Sequence, residues 1–430
     1  MILHRILLAA ALLGAALSTR AEDALSTALA EAKARQQPVL LDFHAPWCYS
    51  CYFMKKNVLT GAEWSKVERE TVVLSLDADS PEGAAIKERY AVKALPSYVV
   101  VNASGDELGR ISAERTRAQF YPELAAILKR NTTLDALRTA AVAGGPAALA
   151  ATRSVLATYL ARNEAQAGLD WYATLASPAI DAGVQRSLAR LQLKASAKTK
   201  QPEACLAAAE KALTGELDCE SPYDLDTVLE CTQPQASDHR RGFLAVQAPR
   251  FEQLLTRQVL TKKQACADAR SAVFALADLY EMQGDTAARQ KVLQRGIAYF
   301  APKVAKSVKA DRNAADNLRV FYEAAGDIAQ RDALLEKLVA AYPEDYVYAN
   351  RYARALAARG DHAKALPLFV QAAGKAYGIN RLRNAQEQIK SLLALSRADE
   401  ARQVAAETLK ANGPWFPEEA AKLKSLLPAA

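Results

Sequence analysis

Residues 40–51 of this 430-residue chain read LLDFHAPWCYSC, and this stretch decides the fold of the N-terminal part. The apolar run at 39–43 predicts a buried strand, and a helix is predicted from Cys51 to about residue 59. The pair Cys48 and Cys51 therefore lies between a strand and a helix, where the partial positive charge of the helix N-terminus stabilises a thiolate. Two thiols at this spacing can alternate between a dithiol and a disulfide, so the stretch indicates redox chemistry.

The surrounding segments predict a small α/β domain. Helices are predicted at 24–35, 81–90 and 115–130, and strands at 71–76, 97–101 and 107–112, the last as an antiparallel edge strand. This order of elements gives a central mixed sheet with helices on both faces.

Residues 24–130 resemble the thioredoxin family. The resemblance is carried by Trp47-Cys48-x-x-Cys51, by Asp42 six residues before the first cysteine, and by Leu95-Pro96 at the start of a later strand. Within this family the chain looks most like the C-terminal domain of DsbD-type thiol:disulfide interchange proteins, because it too has leucine before that proline.

The chain departs from general thioredoxins at three places. It has Tyr49-Ser50 between the cysteines. Five residues after Cys51 it has Lys56 in place of the proline that kinks the helix in general thioredoxins, and DsbD-type domains lack this proline too. Ser75 or a close neighbour replaces the lysine that often lies beside the buried aspartate.

The resemblance implies a role for each matching residue. Cys48 would be the exposed attacking thiol, Cys51 the resolving thiol, and Asp42 a buried carboxyl that exchanges a proton with Cys51.

The remaining motif residues would bind substrate. Trp47 would cover the site, Pro96 would be in cis, and the backbone of Leu95 would pair with an extended substrate segment.

The cysteine pair could instead be half of a zinc site or an inert disulfide. A tetrahedral zinc site needs four ligands, and the only histidines after the first 21 residues, His44, His239 and His362, form no second pair. We therefore predict no metal and no cofactor.

The N-terminus predicts export. His4 and Arg5 precede the apolar run at 6–17, and small residues follow it, which is typical of a signal peptide at 1–21. The run is about a dozen residues, whereas a spanning helix needs roughly 20. We expect a periplasmic bacterial protein without a membrane span after cleavage.

The charge argues against nucleic acid as a partner. The 55 Lys and Arg residues exceed the 48 Asp and Glu residues only modestly, giving +7, and there is no dense basic run.

The rest of the chain is predicted to be all-helical. We expect a thioredoxin-like domain at 22–132, a helical domain at 133–270, and tetratricopeptide-like repeats at 271–430. The repeats are indicated by Gly284-Asp285, Gly326-Asp327 and Gly360-Asp361, which follow similar helices. Such stacks typically hold a peptide or protein on a curved surface, although they could also only scaffold the first domain or mediate self-association.

Four further cysteines indicate structural disulfides. Four cysteines allow three pairings. Pairing cysteines that are neighbours in the sequence gives Cys205–Cys219 and Cys231–Cys266 as the expected set.

Together these features predict an exported thiol-disulfide oxidoreductase, a reductase or isomerase of client proteins. It would need a separate redox partner, and its repeats would bind or position the client. One alternative is a periplasmic adaptor or assembly factor whose cysteine pair rarely reacts. A narrower one is a dedicated reductant for cytochrome c maturation or copper-site assembly.

Overall fold

The computed structural model describes residues 24–233 and 237–427, so the predicted signal peptide at 1–21 lies outside the described residues. The N-terminal α/β unit begins with helix α1 at 24–35. It continues with β1 Val39–His44, α2 Tyr49–Asn57, α3 Gly61–Glu70, β2 Val72–Asp77, α4 Pro81–Arg89, β3 Ser97–Val101, β4 Glu107–Ser112 and α5 Arg117–Arg130.

The strands form one mixed sheet in the order β2-β1-β3-β4. Strand β1 pairs in parallel with β2 and antiparallel with β3, and β4 is the antiparallel edge strand. Alternate residues of β1 point to opposite faces: Leu41 and Phe43 pack against α1 and α4, whereas Leu40 packs against α2, α3 and α5. The predicted α/β class, a mixed sheet between two helical layers, is confirmed.

The second part of the chain, which we call the helical region, contains helices α6 to α21. Their bounds are α6 Leu134–Ala143, α7 Ala148–Arg162, α8 Ala165–Ala173, α9 Ala182–Lys198, α10 Pro202–Ala212, α11 Ser221–Cys231, α12 Asp238–Leu254, α13 Ala269–Met282, α14 Thr286–Val304, α15 Arg312–Ala324, α16 Ile328–Ala341, α17 Tyr346–Ala357, α18 His362–Ala373, α19 Gly378–Ala394, α20 Ala398–Asn412 and α21 Pro417–Lys424. A π-helical turn, Leu255–Val259, follows α12.

Consecutive helices of this region pack in pairs, as in α13–α14, α17–α18 and α19–α20. The Gly-Asp turns join such pairs: Gly284 and Gly326 have φ of +74° and +77°, a backbone conformation that glycine adopts easily. The following Asp285 and Asp327 cap the next helix by accepting from a backbone N–H. The predicted helical repeats are therefore confirmed.

The expected pairing of the four further cysteines is wrong. The disulfides join Cys205 to Cys231 and Cys219 to Cys266. Cys205 is fully buried where α10 packs against the end of α11, so Cys231 is within its reach. Cys219 lies in the loop between these two helices and faces the loop before α13, where its Sγ also lies near the carbonyl of residue 265.

A membrane-spanning helix must be both long and apolar. Within 24–233 and 237–427, no helix combines the length and the apolar character needed to cross a bilayer.

Candidate redox site

Cys48 and Cys51 form a disulfide at the N-terminus of α2. Cys48 is the N-cap residue, and its Sγ accepts from the backbone N–H of Cys51 at 3.1 Å. The first turn of α2 carries no acidic side chain, so the helix dipole acts on Cys48 without local compensation. The predicted location between a strand and a helix is confirmed.

Asp42 lies on β1 and, by alternation with Leu40, on the sheet face that packs against α2. Its partners across the sheet are Ser75 on β2 and Tyr98 on β3, so Ser75 is the residue beside the aspartate, as expected. Burial raises the pKa of Asp42 from its ordinary 3.8 to about 6, while His44 and Lys55 act in the opposite direction. A carboxyl with this pKa can hold or release a proton near neutral pH.

The loop before β3 has the expected backbone. The Leu95–Pro96 peptide bond is cis, Pro96 is buried and Leu95 is half-buried. The carbonyl of Pro96 accepts from the N–H of Ala113 at 3.0 Å, which fixes the loop against the end of β4.

The expectation that Cys48 is exposed is wrong, because its side chain is only 3% exposed. The helical region lies over it. Asn313 of α15 donates to the carbonyl of Tyr49 at 2.9 Å, and Arg351 of α17 donates to the carbonyl of Trp47 at 2.7 Å. Both residues that flank Cys48 are thus held by helices that lie far along the chain.

Two residues that depart from general thioredoxins also contact the helical region, at the starts of α13 and α15. Lys56 forms a 2.8 Å ion pair with Asp311. The ring of Tyr49 lies 3.5 Å below the guanidinium of Arg270, and its hydroxyl is 3.4 Å from a carboxylate oxygen of Asp268. These departures therefore serve the contact between the α/β unit and the helical region.

A buried charge cluster lies directly behind this contact. Asp316 is fully buried and pairs with Arg270, Arg319 and Arg351. Burial raises the pKa of Asp316, but the three guanidinium groups outweigh burial and hold it well below its usual range. Since Arg351 also donates to the carbonyl of Trp47, this cluster reaches the redox site.

A second buried acid, Glu114, lies near the dipeptide between the cysteines. Burial raises the pKa of Glu114 well above its usual range, and Asp268 raises it further, whereas the Ser50 hydroxyl and Arg270 act in the opposite direction. No sequence motif marks Glu114 or the two covering residues of α15 and α17. The unusual residues at 49 and 56 are the only signals of this contact in the sequence.

Trp47 is 36% exposed beside Cys48. Its indole N–H donates to Asp79 of the α/β unit, and its side chain lines a cavity together with Arg351 and Arg354 of α17. As for metals, the described residues contain no group of three or more His, Cys, Asp or Glu side chains placed to hold an ion.

The fold and this disulfide define the N-terminal part as a thioredoxin-like domain, followed by helical repeats. A thioredoxin-like family model matches residues 20–103. The chain is similar to "Thiol:disulfide interchange protein DsbD" of Klebsiella pneumoniae subsp. pneumoniae, with 35% identity over 85 residues, 19% of this chain and 14% of that protein. The protein of the same name from Pseudomonas fluorescens is 34% identical over 101 residues, 21% and 17% of the two chains. The predicted resemblance is confirmed for this domain.

The shared region spans less than a fifth of the length of these two relatives. Among solved structures, a tetratricopeptide repeat protein from Parabacteroides merdae ATCC 43184 aligns with a TM-score of 0.36 and 13% identity, covering 68% of this chain and 90% of that one.

Proposed function

We propose that this protein is an exported, periplasmic thiol-disulfide oxidoreductase that reduces or isomerises disulfides of client proteins. The observation that carries the proposal is the Cys48–Cys51 disulfide at the N-terminus of α2, together with the raised pKa of Asp42 on the neighbouring strand β1. Residues 22–132 carry the chemistry in this proposal, and residues 133–430 bind or position the client.

The reaction begins from the dithiol form. The Cys48 thiolate attacks one sulfur of a client disulfide, the client S–S bond breaks, and one client sulfur leaves as a thiolate. Asp42 then accepts the proton of Cys51, and the Cys51 thiolate attacks Cys48 and expels the second client sulfur. The client gains two electrons, the protein is left with the Cys48–Cys51 disulfide, and a separate redox partner returns it to the dithiol.

Substrate contacts are assigned to the residues around the pair. The backbone at Leu95, next to cis-Pro96, pairs with an extended client segment, and Trp47 covers the site. Reduction or isomerisation is favoured over net oxidation by the similarity to proteins named thiol:disulfide interchange proteins.

The burial of Cys48 favours a second candidate function, an adaptor that binds other proteins and rarely uses its cysteines. A cysteine that is 3% exposed and lies under α15 and α17 must be uncovered before its sulfur can meet a client sulfur. The oxidoreductase therefore requires a movement of the helical region, whereas the adaptor does not.

Reduction of insulin by dithiothreitol separates the two functions. We expect the full-length protein to accelerate this reduction, Cys48→Ser to remove the acceleration, and Cys51→Ser to accumulate a mixed disulfide with insulin that mass spectrometry detects. Equal rates for the native protein and Cys48→Ser would support the adaptor and overturn the oxidoreductase.

A further inference from the structure

A cavity of 490 Å³ lies between the redox site and the last helices of the helical region. Trp47 of the α/β unit lines it, together with Arg351 and Arg354 of α17, Asn380 of α19 and Lys422 of α21. Trp47, the residue before Cys48, is the part of the redox site that the cavity reaches, since neither cysteine lines it.

One buried amide in the cavity wall needs an acceptor. Asn380 is 7% exposed, and its Nδ2 has no hydrogen-bond partner in the part of the chain that the structure describes. The neighbouring Asn384 differs, because its Nδ2 donates to the carbonyl of Phe369 at 3.1 Å and its Oδ1 accepts from Asn350 at 2.9 Å. Buried polar groups are nearly always paired, so Asn380 indicates a ligand that brings an oxygen acceptor.

The charges of the wall favour an anionic ligand. Its two acids are already paired, Glu387 with Lys390 at 2.8 Å and Glu419 with Lys422 at 3.1 Å. Arg354 is exposed and forms no ion pair with any residue in 24–233 or 237–427.

The other two arginines of the wall are already engaged with acids. Arg351 is matched by the buried Asp316, and Arg383 lies 3.7 Å from Glu419. The free guanidinium of Arg354 has the geometry to bind a carboxylate with two parallel hydrogen bonds.

We propose that this cavity binds the carboxylate of an Asp or Glu side chain in an extended client segment. Arg354 pairs with the carboxylate, and the amide of Asn380 donates to an oxygen of the same segment. The bound segment lies along Trp47, so a nearby client cysteine can meet Cys48 when the helical region moves and uncovers it. This specificity for acidic segments rests on the proposed function, because it defines which client segments the proposed oxidoreductase binds.

The test uses two fluorescently labelled decapeptides that differ at two positions. Both contain glycine and serine, with serine in place of the reactive cysteine, and the flanking residues are two glutamates in one and two glutamines in the other. By fluorescence anisotropy with the oxidised full-length protein, we expect the glutamate peptide to bind at least about tenfold more tightly. Arg354→Gln should weaken this binding about tenfold, whereas the matched control Arg381→Gln, an exposed arginine of α19 outside the cavity, should not.

Equal affinity for the two peptides, no binding of either, or equal losses in both variants would overturn the proposal. Binding to the oxidised protein requires no electron transfer, so this result is independent of the insulin assay. An active enzyme without peptide discrimination refutes only the cavity assignment, and an inactive protein that still discriminates refutes only the redox function.

Discussion

Replacement of Asp42 by asparagine tests the environment of this carboxyl on β1. In the unfolded chain this carboxyl ionises near its ordinary 3.8, but in the folded protein it keeps its proton up to about pH 6. As the pH rises from 3.8 to 6, the unfolded state loses a proton that the folded state retains, so the native protein loses stability. The loss reaches about 3 kcal/mol above pH 6, from the difference of the two pKa values at 1.36 kcal/mol per unit.

An asparagine side chain cannot ionise, so Asp42→Asn should raise the free energy of unfolding by up to about 3 kcal/mol at pH 8 and by about half as much at pH 5. The free energy of unfolding is measured in urea on the oxidised protein, with hydrogen exchange of the β1 amides as the readout. This local readout is needed because a chain with several hydrophobic cores need not unfold in one step. The exposed Asp106→Asn in the same unit serves as the control. A gain that is equal at both pH values, or a loss at pH 8, refutes the reasoning.

Two further substitutions test the helical region and its contact with the α/β unit. Asp316→Asn removes the buried anion that three largely buried guanidinium groups share and should cost about 3–5 kcal/mol of unfolding free energy in urea melts. The control Asp399→Asn, at a carboxylate that is 96% exposed, should change it by less than about 1 kcal/mol. Gly378→Ala places a Cβ 2.0 Å from a carbonyl oxygen of the α/β unit, so it should speed alkylation of reduced Cys48 several-fold. Gly360→Ala, which has a similar positive φ but open space, should not, and equal rates would contradict the docking of the two parts.

Much of the α/β unit follows from local sequence patterns. Strands β3 and β4 have the predicted bounds, because a run of β-branched and aromatic residues and a Gly-containing turn specify them within a few residues. The location of Ser75 opposite Asp42 and the cis bond before Pro96 follow from the family resemblance. Helix α3 is absent from the sequence-based prediction, because Val67 is its only buried residue and it lacks an apolar stripe.

The burial of the redox site could not be predicted, because its causes are distant in sequence. Asn313 is 264 residues from Tyr49, and Arg351 is 304 residues from Trp47. The disulfide pairing is mispredicted for a similar reason, since spacing along the chain does not show that Cys205 faces the end of α11. The residues at 49 and 56 are informative as departures, but only the structure shows that they contact the helical region.

The reduction potential of the Cys48–Cys51 couple in the full-length protein tests the central claim most directly. The protein is equilibrated in defined thiol/disulfide buffers and alkylated, and mass spectrometry counts the modified cysteines. We predict a two-electron transition of this pair with a reduction potential of about −230 mV or below. A pair that never exchanges would contradict the redox function, and a potential of about −120 mV would contradict the reduction or isomerisation of clients.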